Sequence, residues 1–87
     1  GTPLAGALMD VGFEATLDFI TCLPRHLAPN GRSYLLTSSI FERAGYDVDK
    51  LCRQHALMAT LVEKLDAGYE TYRVHKVEHL EAHLRAV

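Results

Sequence analysis

The stretch from residue 23 to residue 40, LPRHLAPNGRSYLLTSSI, most constrains the fold because a helix end, a turn and a strand follow one another there. Leu23 and Leu27 close an amphipathic run, and Pro29-Asn30-Gly31 stops it because proline cannot continue a helix. The Asn-Gly pair tolerates left-handed backbone, which predicts a sharp reversal. Residues 34–37 are mostly apolar and predict a strand covered on both faces. A helix that leads into such a strand indicates the interior of a parallel sheet.

Size and composition indicate one small domain or part of a larger one. The 87 residues are 48% hydrophobic and 23% charged, which is ordinary for a globular protein. A net charge of -2 gives no basic field for nucleic acid or an anionic membrane. The sequence has neither the apolar run of a membrane span nor, in residues 1–13, the basic start of a signal peptide. Cys22 and Cys52 make no disulfide framework, so we expect reduced thiols in a cytoplasmic protein.

Hydrophobic periodicity divides the chain into helices and strands. An apolar stripe at helical spacing runs through Phe13, Leu17, Ile20, Leu23 and Leu27. Asp47 is a candidate N-cap for a short helix. We predict helices at 12–28, 47–55 and 79–86, and strands at 32–39, 57–65 and 69–77, within one partial domain spanning 1–87. The last two strands would form an antiparallel hairpin that turns at Asp66-Ala67-Gly68, because the second is rich in Tyr, Thr and Val.

The region 56–77 also admits a second interpretation. Leu57, Leu61, Leu65, Tyr69 and Tyr72 share a helical face, which predicts one long helix and an all-α chain. Gly68 in the middle of that span argues against a helix, at a cost of about 1 kcal/mol relative to Ala. The hairpin is therefore our main prediction and the all-α chain its alternative.

The segment LPRHLAPNGRSYLLTSS resembles a part of class I S-adenosylmethionine-dependent methyltransferases that reads "LP..L.pgGr.yllt.S". In that family a helix leads there through a glycine turn into the fifth strand of a seven-stranded Rossmann-like sheet. The run from Ala44 to Val74 resembles the end of the same fold, where a short helix precedes a sixth strand and a seventh inserted antiparallel, often with an aromatic-Glu pair like Tyr69-Glu70. Residues 10–13, Asp-Val-Gly-Phe, are similar to an approach seen in HemK-like methyltransferases and their small-domain relatives. The resemblance covers about residues 10–78.

The resemblance implies the C-terminal portion of a methyltransferase: helix, parallel strand, short helix, antiparallel hairpin, helix. The family binds its cofactor through a glycine-rich turn, an acidic residue ending the second strand and an Asn-Pro-Pro-Tyr-type motif, and none of these occurs in this sequence. S-adenosylmethionine would therefore be a cofactor of the complete enzyme, and we expect no cofactor-binding and no catalytic residues in this chain. Alone it should be inactive.

Thr37, Ser38 and Ser39 are the candidate residues of a substrate pocket. They lie at the carboxyl end of the predicted parallel strand, where ligands bind in open α/β sheets. The alternative is that these hydroxyls cap the next segment.

Two further groups of residues have ordinary structural explanations. His75, His79 and His83 have i, i+4, i+8 spacing, but they would lie opposite the apolar face of a helix, so we expect no metal site. Cys22 and Cys52 have the positions of small buried hydrophobic residues on helices rather than of activated nucleophiles.

Two functions remain as hypotheses. The first is an enzyme, in which the chain adds core and part of an acceptor pocket to a methyltransferase whose N-terminal half is supplied elsewhere. The second is a non-catalytic interaction or dimerisation module, because an incomplete sheet exposes an edge that can pair with another chain. The predicted partner is accordingly the missing half or a second copy, with neither membrane nor nucleic acid indicated.

Overall fold

A computed structural model of the chain describes residues 13–85. The elements in chain order are α1 (Glu14–His26), β1 (Arg32–Ser38), α2 (Ser39–Arg43), α3 (Val48–Gln54), β2 (Leu57–Asp66), β3 (Thr71–His79) and α4 (Leu80–Arg85). The mixed α/β class is confirmed, and the hairpin of β2 and β3 excludes the all-α alternative for these residues. Predictions that fall on residues 10–12 and 86 lie outside the described residues. Within 13–85, no helix is long and apolar enough to cross a membrane.

Helix α1 forms where the apolar stripe predicts it. Ile20 and Leu23 are buried, and Leu17 and Leu27 pack against the core around them. The helix continues through Pro24 to His26, although proline has no N–H to donate back to the preceding turn. Burial of the apolar side of α1 therefore stabilises the helix by more than the one missing hydrogen bond costs.

The turn after α1 differs from the prediction in its backbone. The N–H of Gly31 donates to the carbonyl oxygen of Ala28 at 2.9 Å. Neither Asn30 nor Gly31 adopts the left-handed conformation that we predicted. Glycine suits position 31 for another reason, because a Cβ there would lie only 3.2 Å from the Ala28 carbonyl oxygen. The glycine permits a close approach rather than a positive φ.

The three strands form one antiparallel sheet with the order β1-β3-β2. Strand β3 lies in the middle and pairs antiparallel with both neighbours, with Leu35 of β1 opposite His75. The parallel pairing that we predicted for β1 is not present among the described residues, where the one neighbour of β1 is antiparallel. Because β3 opposes both neighbours, β1 and β2 run in the same direction without touching. A bulge between Leu61 and Glu63 shifts the register of β2.

Helices α1, α2 and α3 pack on one face of this sheet, which we call the helix face. The buried core comprises Ile20, Leu23, Leu35, Phe41, Val48, Cys52, Leu57, Ala59 and Val77. Alternation along each strand places Leu35, Ala59 and Val77 on the helix face together. This core positions α2 and α3 above the strands that carry the polar residues described below.

The opposite face of the sheet, which we call the open face, carries Tyr34, Leu36, Leu65, Tyr72 and Val74. The prediction that β1 is covered on both faces is wrong for the described residues. Leu36 is 53% exposed, whereas its neighbour Leu35 is 7% exposed. Residues 34–36 of β1 are apolar, but only one of the two faces of the strand packs against other residues within 13–85.

Helix α2 was not predicted, because residue 39 was assigned to the preceding strand. The helix ends in a Schellman motif: the N–H of Gly45 donates to the Glu42 carbonyl at 2.9 Å, and that of Tyr46 to the Phe41 carbonyl at 3.3 Å. Gly45 has a φ of 99°, which glycine adopts without strain. Buried Phe41 stacks on Tyr46 with ring centroids 4.8 Å apart, so aromatic packing holds this short helix against the core.

The hairpin of β2 and β3 turns at the predicted Asp66-Ala67-Gly68, but β3 begins two residues later than predicted. The Asp66 carboxylate accepts the Gly68 N–H at 2.9 Å, and the Ala67 N–H donates to the Glu70 carbonyl at 2.8 Å. This local bonding holds residues 67–70 as a loop. Tyr69, at its tip, is 85% exposed.

Candidate functional site

The three predicted pocket residues follow one another at the end of β1, yet the structure gives them different environments. Thr37 is buried on the helix face, and its Oγ1 has no hydrogen-bond partner among the described residues. Ser38 ends the strand half-buried. The Ser39 hydroxyl donates to Glu70 and accepts the N–H of Thr71 at 3.2 Å. The Ser39 hydroxyl therefore links the junction of β1 and α2 to the start of β3. Ser38, the N-cap residue of α2, makes no capping hydrogen bond with its side chain, so the structure does not show the capping that the alternative predicts.

Glu70 organises this junction from the far end of the hairpin. Its buried Oε1 accepts from the Ser39 hydroxyl and from the Ile40 N–H at 2.9 Å, and its Oε2 lies 3.5 Å from the Arg43 guanidinium. The hydrogen bond from Ser39 lowers the pKa of Glu70 most; burial opposes this shift, and the Ile40 N–H and the Arg43 charge add to it. An ionised Glu70 thus caps the N-terminus of α2. The sequence alone offered only the Tyr69-Glu70 pair as a signal.

A cleft of about 460 Å³ lies between the segment 42–49 and the helix face of β2 and β3. Its polar lining consists of Glu42, Tyr46, Asp47, Asp49, Arg73 and His75. The acidic residues come from α2, the following loop and α3, whereas Arg73 and His75 project from β3 two positions apart on one face. Sequence reasoning missed this cleft because about thirty residues separate its two halves.

Arg73 and His75 have different electrostatic surroundings in the cleft. The Arg73 Nη1 lies 2.7 Å from the Glu42 Oε1, so the guanidinium charge is already paired. His75 is only 7% exposed, and burial lowers its pKa; the Arg73 charge lowers it further, while Asp49 and Glu42 act in the opposite direction. The imidazole is therefore neutral at pH 7. Its Nδ1 has no hydrogen-bond partner among the described residues.

The histidines considered as metal ligands do not share one helix. His75 and His79 lie on β3, and His83 lies on α4. His79 Nε2 is 2.9 Å from the Leu27 carbonyl oxygen, and His83 Nδ1 is 2.7 Å from the Glu78 carboxylate. Over residues 13–85 the structure contains no group of three or more ligands suited to a metal ion.

The two cysteines are free thiols in different environments. Cys22 is half-buried on α1, 4.0 Å from the Arg25 guanidinium. Cys52 is fully buried in the core, and burial, with a smaller contribution from Asp49, raises its pKa to about 11. Cys52 is therefore a protonated core residue and not a nucleophile at neutral pH.

Comparison of the chain with protein-family models, curated proteins and solved structures finds no match. The geometry of the described residues therefore carries the functional argument by itself. It supplies three features: the strand order, the free edge and open face of β1, and the cleft above β3.

Proposed function

We propose that this chain forms the C-terminal part of a class I S-adenosylmethionine-dependent methyltransferase. The observation that carries the proposal is the strand order β1-β3-β2, with β3 antiparallel between two strands of common direction. A seventh strand inserted antiparallel is the feature that the resemblance implies for the end of this fold. In this assignment β1, β2 and β3 are the fifth, sixth and seventh strands.

The free edge of β1 supports the same assignment. Within the described residues β1 pairs only with β3, so its other edge offers backbone N–H and C=O groups for a further strand. The open face beside it presents Tyr34 and Leu36, each more than half exposed. Helices that cover both faces are the rule in parallel α/β sheets. The proposed occupant of the edge and the open face is the N-terminal half of the methyltransferase fold.

The chemistry in this proposal belongs to the complete enzyme. Its cofactor would be S-adenosylmethionine, bound by the motifs that this sequence lacks, so the chain alone is expected to be inactive. Thr37, Ser38 and Ser39 stay candidates for the acceptor pocket because they lie at the carboxyl end of β1. The free thiols of Cys22 and Cys52 support a cytoplasmic location.

Photolabelling of the native assembly tests the proposal. An antibody against the exposed hairpin tip, residues 66–69, would isolate the protein that carries this segment under non-denaturing conditions. Irradiation with radiolabelled S-adenosylmethionine should label a polypeptide of that assembly, and S-adenosylhomocysteine should compete. Peptide mapping should place the label outside residues 13–85. Absence of competable label, while a known methyltransferase in the same extract is labelled, would refute the proposal.

The same free edge favours a second candidate, a dimerisation module. Two copies could pair along β1 and bury their open faces against one another. Light scattering of the purified chain distinguishes the two functions. A stable dimer that Leu36→Lys dissociates, together with an assembly that takes up no S-adenosylmethionine label, would support the dimerisation module and exclude the methyltransferase.

A further inference from the structure

The cleft above β3 is a place within residues 13–85 where polar side chains from distant segments converge, and it lies away from the free edge of β1. It faces the helix side of the sheet, whereas the proposed docking of the N-terminal half uses the β1 edge and the open face. An inference drawn from the cleft therefore does not depend on the methyltransferase proposal. Three observations bear on what the cleft can hold: its charge, an unpartnered imidazole and its size.

The charge of the lining is negative. Glu42, Asp47 and Asp49 contribute three carboxylates, against a single cation, Arg73. Arg73 is paired with Glu42, and Asp47 accepts the Lys50 N–H as the cap of α3. Asp49 forms no ion pair with any of the described residues and lies close enough to influence the pKa of His75. Asp47 and Asp49 are thus both left without a counter-charge among the described residues, and Asp47 is already engaged as a helix cap.

The imidazole of His75 supplies the second observation. It lines the cleft, is more than nine-tenths buried, and its Nδ1 has no partner among residues 13–85. A buried polar atom without a hydrogen bond is costly and usually indicates a missing partner. Since the ring is neutral, one of its nitrogens accepts a hydrogen bond. A ligand that donates hydrogen bonds fits both this imidazole and the Asp49 carboxylate.

From these observations we propose that the cleft binds a small organic cation carrying a primary ammonium or guanidinium group, with Asp49 as its counter-charge and His75 as a hydrogen-bond acceptor. An anion would meet net negative charge, because the one guanidinium is already neutralised by Glu42. A divalent metal finds too few ligands among the described residues. The volume of about 460 Å³ lies within the range of roughly 300–1,000 Å³ usual for small-molecule pockets.

Agmatine, which carries both cationic groups, is a suitable probe for the full chain. We expect saturable chemical-shift changes at the amides of residues 46–49 and 73–75 of the ¹⁵N-labelled protein, with a Kd of about 1 mM, typical of so small a ligand. Asp49→Asn should raise that Kd about tenfold, because it removes the charge from a charge-assisted hydrogen bond. His75→Phe should also weaken binding by removing the acceptor.

Matched controls make the result decisive. Asp18→Asn changes the same residue type on the exposed side of α1 and should leave the Kd unchanged. Glutarate and 1,5-pentanediol, an anion and a neutral molecule of comparable length, should give no saturable shifts. The proposal is overturned if the Asp49→Asn variant binds agmatine as tightly as the unmodified chain does. It is also overturned if Asp18→Asn weakens binding as much as Asp49→Asn does, or if the diol binds as tightly as agmatine. Because Asp49 is exposed, its variant is expected to fold and to remain testable.

Discussion

Truncating Leu35 and Leu36 to alanine one at a time tests the central claim about β1, that one of its faces is packed and the other is open. The two residues are neighbours on one strand with the same side chain, so any loss of strand propensity is shared. They differ in environment: Leu35 is buried in the core and Leu36 is on the open face. The difference between the two variants therefore reports packing on each face of the sheet.

The expected magnitudes follow from burial. Removing a buried leucine side chain costs about 3 kcal/mol, since transfer and cavity terms add. A leucine that is half exposed has less to lose, and we expect Leu36→Ala to cost below about 1 kcal/mol. The free energy of unfolding of a chain this size is about 4–13 kcal/mol, so Leu35→Ala removes a large share of it. The corresponding fall in Tm is roughly 12–24 °C for Leu35→Ala.

Urea unfolding followed by circular dichroism measures both variants against the unmodified chain. The midpoint should fall strongly for Leu35→Ala and little for Leu36→Ala, with similar slopes. Equal losses would mean that both faces of β1 are packed in the isolated chain, which would refute the open face. A larger loss for Leu36→Ala would mean that the strand is turned over relative to the sheet.

Three further predictions concern titratable groups. The pKa of Glu70 in the fold lies below its ordinary 4.5, so the stability that the carboxylate contributes is present above pH 4.5 and is lost as the pH falls through the folded pKa. Glu70→Gln should lower the urea midpoint at pH 7, and the two midpoints should converge in strong acid. Equal midpoints at pH 7 would contradict the cap on α2. The pKa of His75 lies below its ordinary 6.5, so on acidification the unfolded chain binds a proton before the folded chain does, and the free energy of unfolding falls as the pH drops below 6.5. His75→Phe should reduce this dependence of the free energy of unfolding on pH. An unchanged dependence would count against a buried neutral imidazole. Cys52 should react with a thiol reagent only on unfolding, because it is buried with a pKa of about 11; in Cys22→Ser, rapid labelling of the native protein would show that Cys52 is accessible.

Part of the fold follows from local rules that the sequence displays directly. The stripe through Ile20 and Leu23 specifies α1, since residues three and four apart share a helical face. Asp47 caps α3 through the Lys50 N–H at 3.2 Å, an interaction between residues three apart. The β-favouring residues after the Asp-Ala-Gly turn identify the hairpin. In each case the evidence lies within a few positions of the residues concerned.

For the candidate site, too, local features could be predicted from the sequence and contacts between distant residues could not. The positions of Thr37, Ser38 and Ser39 at the end of β1 could be predicted, because strand and turn signals are local. The role of Ser39 could not, since its partner Glu70 lies thirty-one residues further along the chain. The cleft could not be predicted either, because its carboxylates belong to different elements from Arg73 and His75.

Apart from α2, the sequence by itself thus determined the kinds of element and their order, because periodicity, capping and turn chemistry act between near neighbours. Only the tertiary structure decided that α2 exists, that β3 lies between β1 and β2, and that β1 is covered on one face. An apolar strand such as 34–36 favours burial of both faces, but whether each face finds a partner depends on packing between distant segments. The partner that we propose for the open face is the N-terminal half, and the partner that we propose for the cleft is the cationic ligand.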